Sequence, residues 1–195
     1  MISGVLLAAG RSQRMGQPKL LLPWHGIPLV QHMAQIALQS QLDELVVVVG
    51  YRAEHVRAAL KGLMVHIVHN VDFLEGQSTS LRAGMDAIDD AAQAVVILLA
   101  DQPLLQSATI DRLITTYSSQ STPIVAPRYN GRRGNPVLFS NDLFTELRGI
   151  TGDQGARSLL DAHEQQVSWI DVDDEGVALD IDTPDMYQRL IGRSG

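Results

Sequence analysis

The strongest constraint on what this chain can fold into is a repeated alternation of two patterns. Short apolar runs rich in β-branched residues recur at Ile2 to Ala9, Leu45 to Val49, Val65 to Val68, Ala94 to Ala100 and Pro123 to Ala126, and helical patterns fill the intervals. Strands that read as continuous apolar runs are buried on both faces, and connections of helix length join parallel neighbours. The alternation predicts an α/β fold with a mainly parallel sheet.

In the first interval Leu29, Val30, Met33, Ile36 and Ala37 share one helical face. After the fourth strand Ile110, Leu113, Ile114 and Tyr117 do the same, with Ser107 as N-cap and Asp111 in the first turn. Further helices are expected at Glu54 to Lys61, Ser80 to Ala91, Asp142 to Arg148, Gly155 to His163 and Pro184 to Ile191. Later strands are expected at Pro136 to Phe139, Val167 to Val172 and Val177 to Ile181. The loop PRYNGRRGN, residues 127–135, is rich in turn residues and arginine and is expected to be a mobile flap.

A length of 195 residues suits one domain, and no linker, repeat or low-complexity tract divides residues 1–195. No segment approaches the roughly 18 consecutive apolar residues of a membrane span, and Ile2 to Ala9 lacks the basic flank of a signal peptide. With no cysteine, disulfides, thiolate metal sites and cysteine nucleophiles are excluded, which fits a cytoplasmic location. A formal charge of -7 argues against nucleic-acid or anionic-membrane partners, which need a basic surface. Any anion has to be held by a local site.

The segment LAAGRSQRMGQPK, residues 7–19, reads as a candidate for such a site. It follows the first strand, at the end of the sheet where α/β folds bind ligands. Glycine lets backbone amides approach a phosphate, and Arg11, Arg14 and Lys19 add positive charge, so a polyphosphate suits the loop better than a carboxylate. Lys19 is followed by Leu20 where a Walker A motif needs Ser or Thr, and Gly10 and Gly16 do not have the dinucleotide-fingerprint spacing. An ordinary strand-to-helix loop carrying surface bases is the alternative.

Two acidic positions stand at matching places. Asp101 ends the apolar run VVILLADQP, where it either holds a hard divalent cation such as Mg2+ or caps the next turn. In LDIDTPDMY, Asp180 and Asp182 would share one side of a strand, and Thr183 with Pro184 resembles a helix start, so Asp182 is a second metal ligand or an N-cap. DVDDEGVALDID imitates part of a calcium loop through Asp171, Asp173, Glu175 and Gly176, but a strand is expected where that loop would end, so it reads as an acidic hairpin turn.

Taken in order, LAAGRSQRMGQPK, GQSTSLRAG, LLADQP, GRRGNP, GDQGAR and DIDTPDMY resemble the molybdenum cofactor cytidylyltransferases, within the molybdopterin-guanine-dinucleotide-synthase-like nucleotidyltransferases. The resemblance implies a Rossmann-like three-layer α/β/α domain, like the nucleotide-diphospho-sugar transferases. It implies Mg2+-dependent transfer of CMP from CTP to a molybdopterin-type cofactor with release of pyrophosphate. By position, Gly10, Arg14, Gly16 and Lys19 would bind the triphosphate, with Arg14, Lys19 and Asp101 catalytic, and Asp101 and Asp182 would hold the metal. Leu7, Ala8, Ala9 and Ser80 would lie near the nucleoside, and Arg133, Asn135, Asp153 and Arg157 toward the acceptor.

In that family LAAG is more typical of cytidine enzymes and LAGG of guanosine enzymes, so Ala8 and Ala9 favour CTP over GTP. One departure is Asn135, where relatives commonly have histidine; asparagine donates a hydrogen bond but carries no proton or charge. A phosphorylated metabolite as acceptor, or a non-catalytic carrier serving a target molybdenum hydroxylase, are the competing readings. An NAD-dependent oxidoreductase fits less well, because the dinucleotide fingerprint is missing. His66 and His69 would point to opposite faces of a strand and share no metal, while His25, His32, His55 and His163 read as structural or solvated. Arg157 has Asp161 one helical turn away as an ordinary partner, and Asp153 is placed to cap that helix.

Overall fold

The computed structural model describes residues 1–153 and 155–192. Its strands are β1 (Ile2–Ala8), β2 (Pro23–Trp24), β3 (Ile27–Pro28), β4 (Glu44–Val49), β5 (His66–His69), β6 (Ala94–Leu99), β7 (Ile124–Tyr129), β8 (Arg132–Arg133), β9 (Val137–Ser140) and β10 (Val167–Asp171). The helices are α1 (Leu29–Leu38), α2 (Ala53–Ala59), α3 (Gln77–Met85), α4 (Ser107–Gln120), α5 (Phe144–Gly149), α6 (Arg157–Ala162) and α7 (Pro184–Ile191). The main sheet runs β10-β7-β9-β6-β1-β4-β5, with β8 paired to β7, and β2 and β3 form a separate small ribbon. Pairs β1 with β4, β1 with β6, β4 with β5 and β7 with β10 are parallel, while β9 is antiparallel to both its neighbours. The fold is Rossmann-like.

Side-chain alternation along the central strands sends residues to opposite layers. Leu6, Ala8, Val47, Val49, Val96 and Leu98 pack with α1, α2, α4 and α7; Val5, Ala9, Val46, Val48, Val95 and Ile97 pack with α3, α5 and α6. Gly84 lets α3 lie directly on β1, since a Cβ there would stand 2.4 Å from a methyl of Val5. That contact fixes the start of α3 above the carboxyl end of β1. Among the described residues no helix is long and apolar enough to cross a membrane.

Several expectations are corrected. Val177 to Ile181 is not a strand: a 3-10 turn spans Glu175–Ala178, and the following backbone bonds to loops instead of a ladder. The Val177 carbonyl accepts from the Asn135 amide at 2.8 Å, and the Ile181 amide donates to the Asp101 carbonyl at 2.8 Å. With no strand to return, the acidic hairpin turn does not form, and Asp174 turns inward instead. Ser107 begins α4 but does not cap it, because Gln106 holds the cap position and Asp174 accepts its amide; Asp111, beyond the first turn, accepts from Gln41. Helix α3 spans Gln77–Met85 rather than Ser80 to Ala91, and after it the Asp89 carboxylate accepts from the Ala91 amide, a local turn bond that competes with helix.

The 127–135 loop is a hairpin rather than a flap. Asn130 and Gly131 both have positive φ, as a two-residue turn between right-twisted strands requires, and Arg133 is tied to Asp161 and Glu164.

Candidate active site

The carboxyl ends of β1 and β6 open onto a cleft of about 660 Å3. Its walls come from the 9–14 loop, Lys19, the 73–80 segment, Asp101, Asp153 and Asp182. Within the glycine-rich loop a 3-10 turn at Gln13–Met15 is anchored by buried Met15 and closed by Gly16 at φ 65°, while Arg11, Gln13 and Arg14 stay at the surface. Among the described residues the amides of Gly10 and Arg11 find no protein acceptor, so two donors stand open beside the cleft. Such unpaired donors suit an anion.

Lys19 is the centre of the charge arrangement. Its Nζ donates to Asp101 Oδ2 at 2.6 Å, the Ile181 carbonyl at 2.8 Å and Asp182 Oδ1 at 3.3 Å, and its side chain is only 12% exposed. Arg14 reaches Asp182 Oδ2 at 3.0 Å from an exposed position. Neither aspartate serves as the cap weighed for it. The α7 cap is Thr183, whose Oγ1 accepts from the Met186 amide, and the Asp101 side chain faces Lys19.

Asp180 joins the group. Burial raises its pKa, the charge of Asp101 adds to the rise, and a hydrogen bond from Gln102 opposes it. Three carboxylates thus face two cationic side chains, a surplus of negative charge made of hard oxygen donors. Among the described residues no three or more His, Asp or Glu side chains form a ready-made metal cage. Two carboxylates with open positions still fit Mg2+, which keeps water and takes phosphate oxygens as its other ligands. Displacing surface-exposed Arg14 from Asp182 frees one such oxygen.

The structure separates the sequence-predicted residues. Leu7, Ala9, Gly10, Arg14, Lys19, Ser80, Asp101, Asp153 and Asp182 all line the cleft. Ala8 does not: period-two alternation puts its methyl in the opposite core, where it is 1% exposed. Gly16 is outside the lining and serves the turn. Asn135, Asp153 and Arg157 line a neighbouring cleft of about 610 Å3, but Arg133 lines neither, being held by Asp161 and Glu164 over Trp169. Arg157 does not pair with Asp161, and Asp153 does not cap α6, whose cap position is Ala156.

Sequence reasoning passed over Gln77 and Asn70. Gln77 lines both clefts, a position foreshadowed only by its glycine neighbour at the start of α3. Asn70 Nδ2 donates to Ser80 Oγ at 2.9 Å and to Thr79 Oγ1 at 2.8 Å, leaving the Ser80 proton to donate elsewhere. His32 is structural as expected; its Nε2 donates to the Pro103 carbonyl at 2.8 Å, and burial lowers its pKa. This bond ties α1 to the turn that follows Asp101.

A family profile described as MobA-like NTP transferase domain matches residues 4–167. The chain is 35% identical to nicotine blue oxidoreductase of Paenarthrobacter nicotinovorans, covering 97% of this chain and 96% of that one. It is 30% identical to molybdenum cofactor cytidylyltransferase of Escherichia coli K12, over 95% and 93% of the two chains. The crystal structure of Rv0371c from Mycobacterium tuberculosis H37Rv, in complex with manganese, superposes with a TM-score of 0.84 at 34% identity and covers 98% of each chain. The chain belongs to the MobA-like NTP transferase family and is a nucleotidyltransferase.

Proposed function

We propose that this chain, acting as one nucleotidyltransferase unit, transfers CMP from CTP to a molybdopterin-type acceptor. The observation that carries this reading is the Lys19 ammonium lodged between Asp101 and Asp182 in the mouth of the nucleotide cleft. A triphosphate needs fixed cations, and a divalent ion needs carboxylates with room for phosphate oxygens; both lie within one side chain's reach. Mg2+ held by Asp101 and Asp182 would neutralise phosphate oxygens and align them for displacement.

An oxygen of the acceptor's phosphate attacks the α-phosphorus in line. The new P–O bond forms as the bond to the β-phosphate oxygen breaks, and pyrophosphate leaves. The protein's part is positioning and charge. Gly10 and its neighbours present amides to the phosphates, Arg14 exchanges Asp182 for the leaving pyrophosphate, and Lys19 keeps the carboxylates oriented while adding its charge. Ala9 fills space beside the base that a glycine would leave open, which favours the smaller pyrimidine. Ser80, its oxygen held by Asn70, donates its proton to a base or ribose oxygen. Asn135 and Arg157 face the acceptor from the neighbouring cleft.

Asp101→Ala tests the site. Pyrophosphate release at saturating Mg2+ is expected to fall by about 10²-fold or more with circular dichroism unchanged; near-normal turnover contradicts the assignment. The 35% identity to a nicotine blue oxidoreductase favours a second reading, reduction of a dye such as nicotine blue. Loss of NADH absorbance with such a dye, without pyrophosphate release from any triphosphate, would establish that one instead.

A further inference from the structure

The main sheet ends at two edges, β10 and β5, and they are built differently. At β10 the last residue, Asp171, is charged and exposed, and Arg112 Nη2 donates to its carbonyl at 2.9 Å, so charge and an occupied acceptor keep other strands away. Strand β5 reads HIVH and has no Lys, Arg, Asp or Glu. Its outer backbone is open. The Asn70 amide donates to the Val49 carbonyl of β4 at 2.8 Å, so period-two alternation turns the amides and carbonyls of Ile67 and His69 away from β4. Among the described residues those groups find no partner.

The flanks of this edge are apolar and oppositely charged. Met64, 88% exposed, lies before β5, and Val71, 70% exposed, lies after it; they are the most exposed large apolar side chains among the described residues. Exposed Lys61 stands on the first side, and exposed Asp72 and Glu75 on the second. Among the described residues none of these three charges has an ion-pair partner.

We propose that β5 pairs antiparallel with the β5 of a second copy of this chain, about a two-fold axis at Val68, so that two sheets become one. In that register Ile67 of each copy stands opposite His69 of the other, and each such pair exchanges amide and carbonyl bonds. Val65 then faces Val71, which takes apolar surface out of water. The Lys61 end of each copy meets the Asp72 and Glu75 end of the other, whereas parallel pairing would set lysine beside lysine and acid beside acid. Any strand would satisfy the open backbone; the chain's own reversed copy also answers both charged ends, which makes a second copy the occupant. Phe73 and Leu74, which follow the paired segment, line the nucleotide cleft, so the seam runs beside each active site. The inference does not depend on which nucleotide or acceptor that site takes.

The test is sedimentation velocity on the full chain from about 1 to 500 µM, since so short an edge supports a weak association in the micromolar range. The mass is expected to rise with concentration from 21.3 kDa toward twice that value. His69→Pro, which removes the outward amide and leaves the ladder to β4 whole, is expected to weaken the dimer about tenfold or more, because the two-fold loses the bond twice. Lys61→Glu and Glu75→Lys are each expected to weaken it about fivefold at low salt, and the double variant to recover most of the wild-type affinity. Circular dichroism checks each fold, and the charge reversals change only surface residues, so they decide the matter even where the proline variant does not fold. A monomer at every concentration overturns the proposal and leaves the edge to a strand of a different protein. A dimer that folded His69→Pro leaves intact, or a double variant no tighter than the single ones, overturns it as well.

Discussion

Replacing Lys19 by methionine removes the charge lodged among the acids while keeping most of the stem. In the native chain Lys19 Nζ holds Asp101 at 2.6 Å, and the Asp101 side chain is 21% exposed. A hydrogen bond between charged groups is worth about 1.5–3 kcal/mol when it is largely sheltered from water. The contact to Asp182 is longer, at 3.3 Å, to a side chain 38% exposed, so solvent screening leaves it well under about 1 kcal/mol. The sum, about 2–3 kcal/mol, lowers the melting temperature of the metal-free protein by about 5–10 °C for a chain of this length. The same substitution removes a competitor for the carboxylates, so Mn2+ should raise the melting temperature more in Lys19→Met than in the wild type. Turnover should nonetheless fall by about 10²–10³-fold, because charge on the leaving pyrophosphate loses a stabilising cation. Differential scanning fluorimetry with and without Mn2+, beside a pyrophosphate-release assay, reads all three effects. An unchanged melting temperature, or Mn2+ stabilising the variant no more than the wild type, refutes the reasoning.

Asp174 is 3% exposed and accepts from the Gln106 and Gly176 amides and the Thr109 hydroxyl, so Asp174→Ala should cost about 3 kcal/mol in urea unfolding; a cost near zero would mean the carboxylate does not pin the turn. A Cβ on Gly176 would stand 2.2 Å from the backbone of Leu104 and Leu105, so Gly176→Ala should destabilise by about 3 kcal/mol, whereas a neutral effect would show that the 101–105 turn yields freely. For Asp180 the sign follows from its raised pKa: the native state holds this proton more tightly than the unfolded chain. Its contribution to stability therefore declines as pH rises from the ordinary carboxylate value through the raised one, and the penalty is complete above that. Without divalent cations, Asp180→Asn should be more stable than wild type near neutral pH and match it in acid below the ordinary value; equal stabilities at neutral pH would contradict this.

The central strands were legible because burial on both faces leaves an unmistakable mark, as in ELVVVV and AVVILL. The segment from Val177 to Ile181 misled because VALDI alternates as a strand does, yet its backbone partners are the Asn135 amide and the Asp101 carbonyl, which no local pattern announces. Asp173 and Asp174 are neighbours of one residue type; only the fold exposes the first and buries the second. Asp101 was legible from its place just past the end of an apolar strand, and Lys19 from its place in the glycine-rich segment that follows the first strand. The different fates of Arg133 and Arg157 were not, since each is an arginine near a glycine and only packing turns one onto Asp161 and the other into a cleft. Ala8 shows the reverse case: alternation along β1 already put it opposite Ala9, toward the other layer.

The central claim is transfer of a nucleotide, CMP in particular, to a molybdopterin-type acceptor. Its most direct test incubates the protein with Mg2+, the molybdopterin cofactor and each of the four ribonucleoside triphosphates separately, measuring pyrophosphate and identifying the product by mass. The expected product is a cytidylated cofactor, formed from CTP in preference to GTP and lost in Asp101→Ala. Tight cofactor binding with no pyrophosphate from any triphosphate would contradict it and leave a carrier built on a transferase fold.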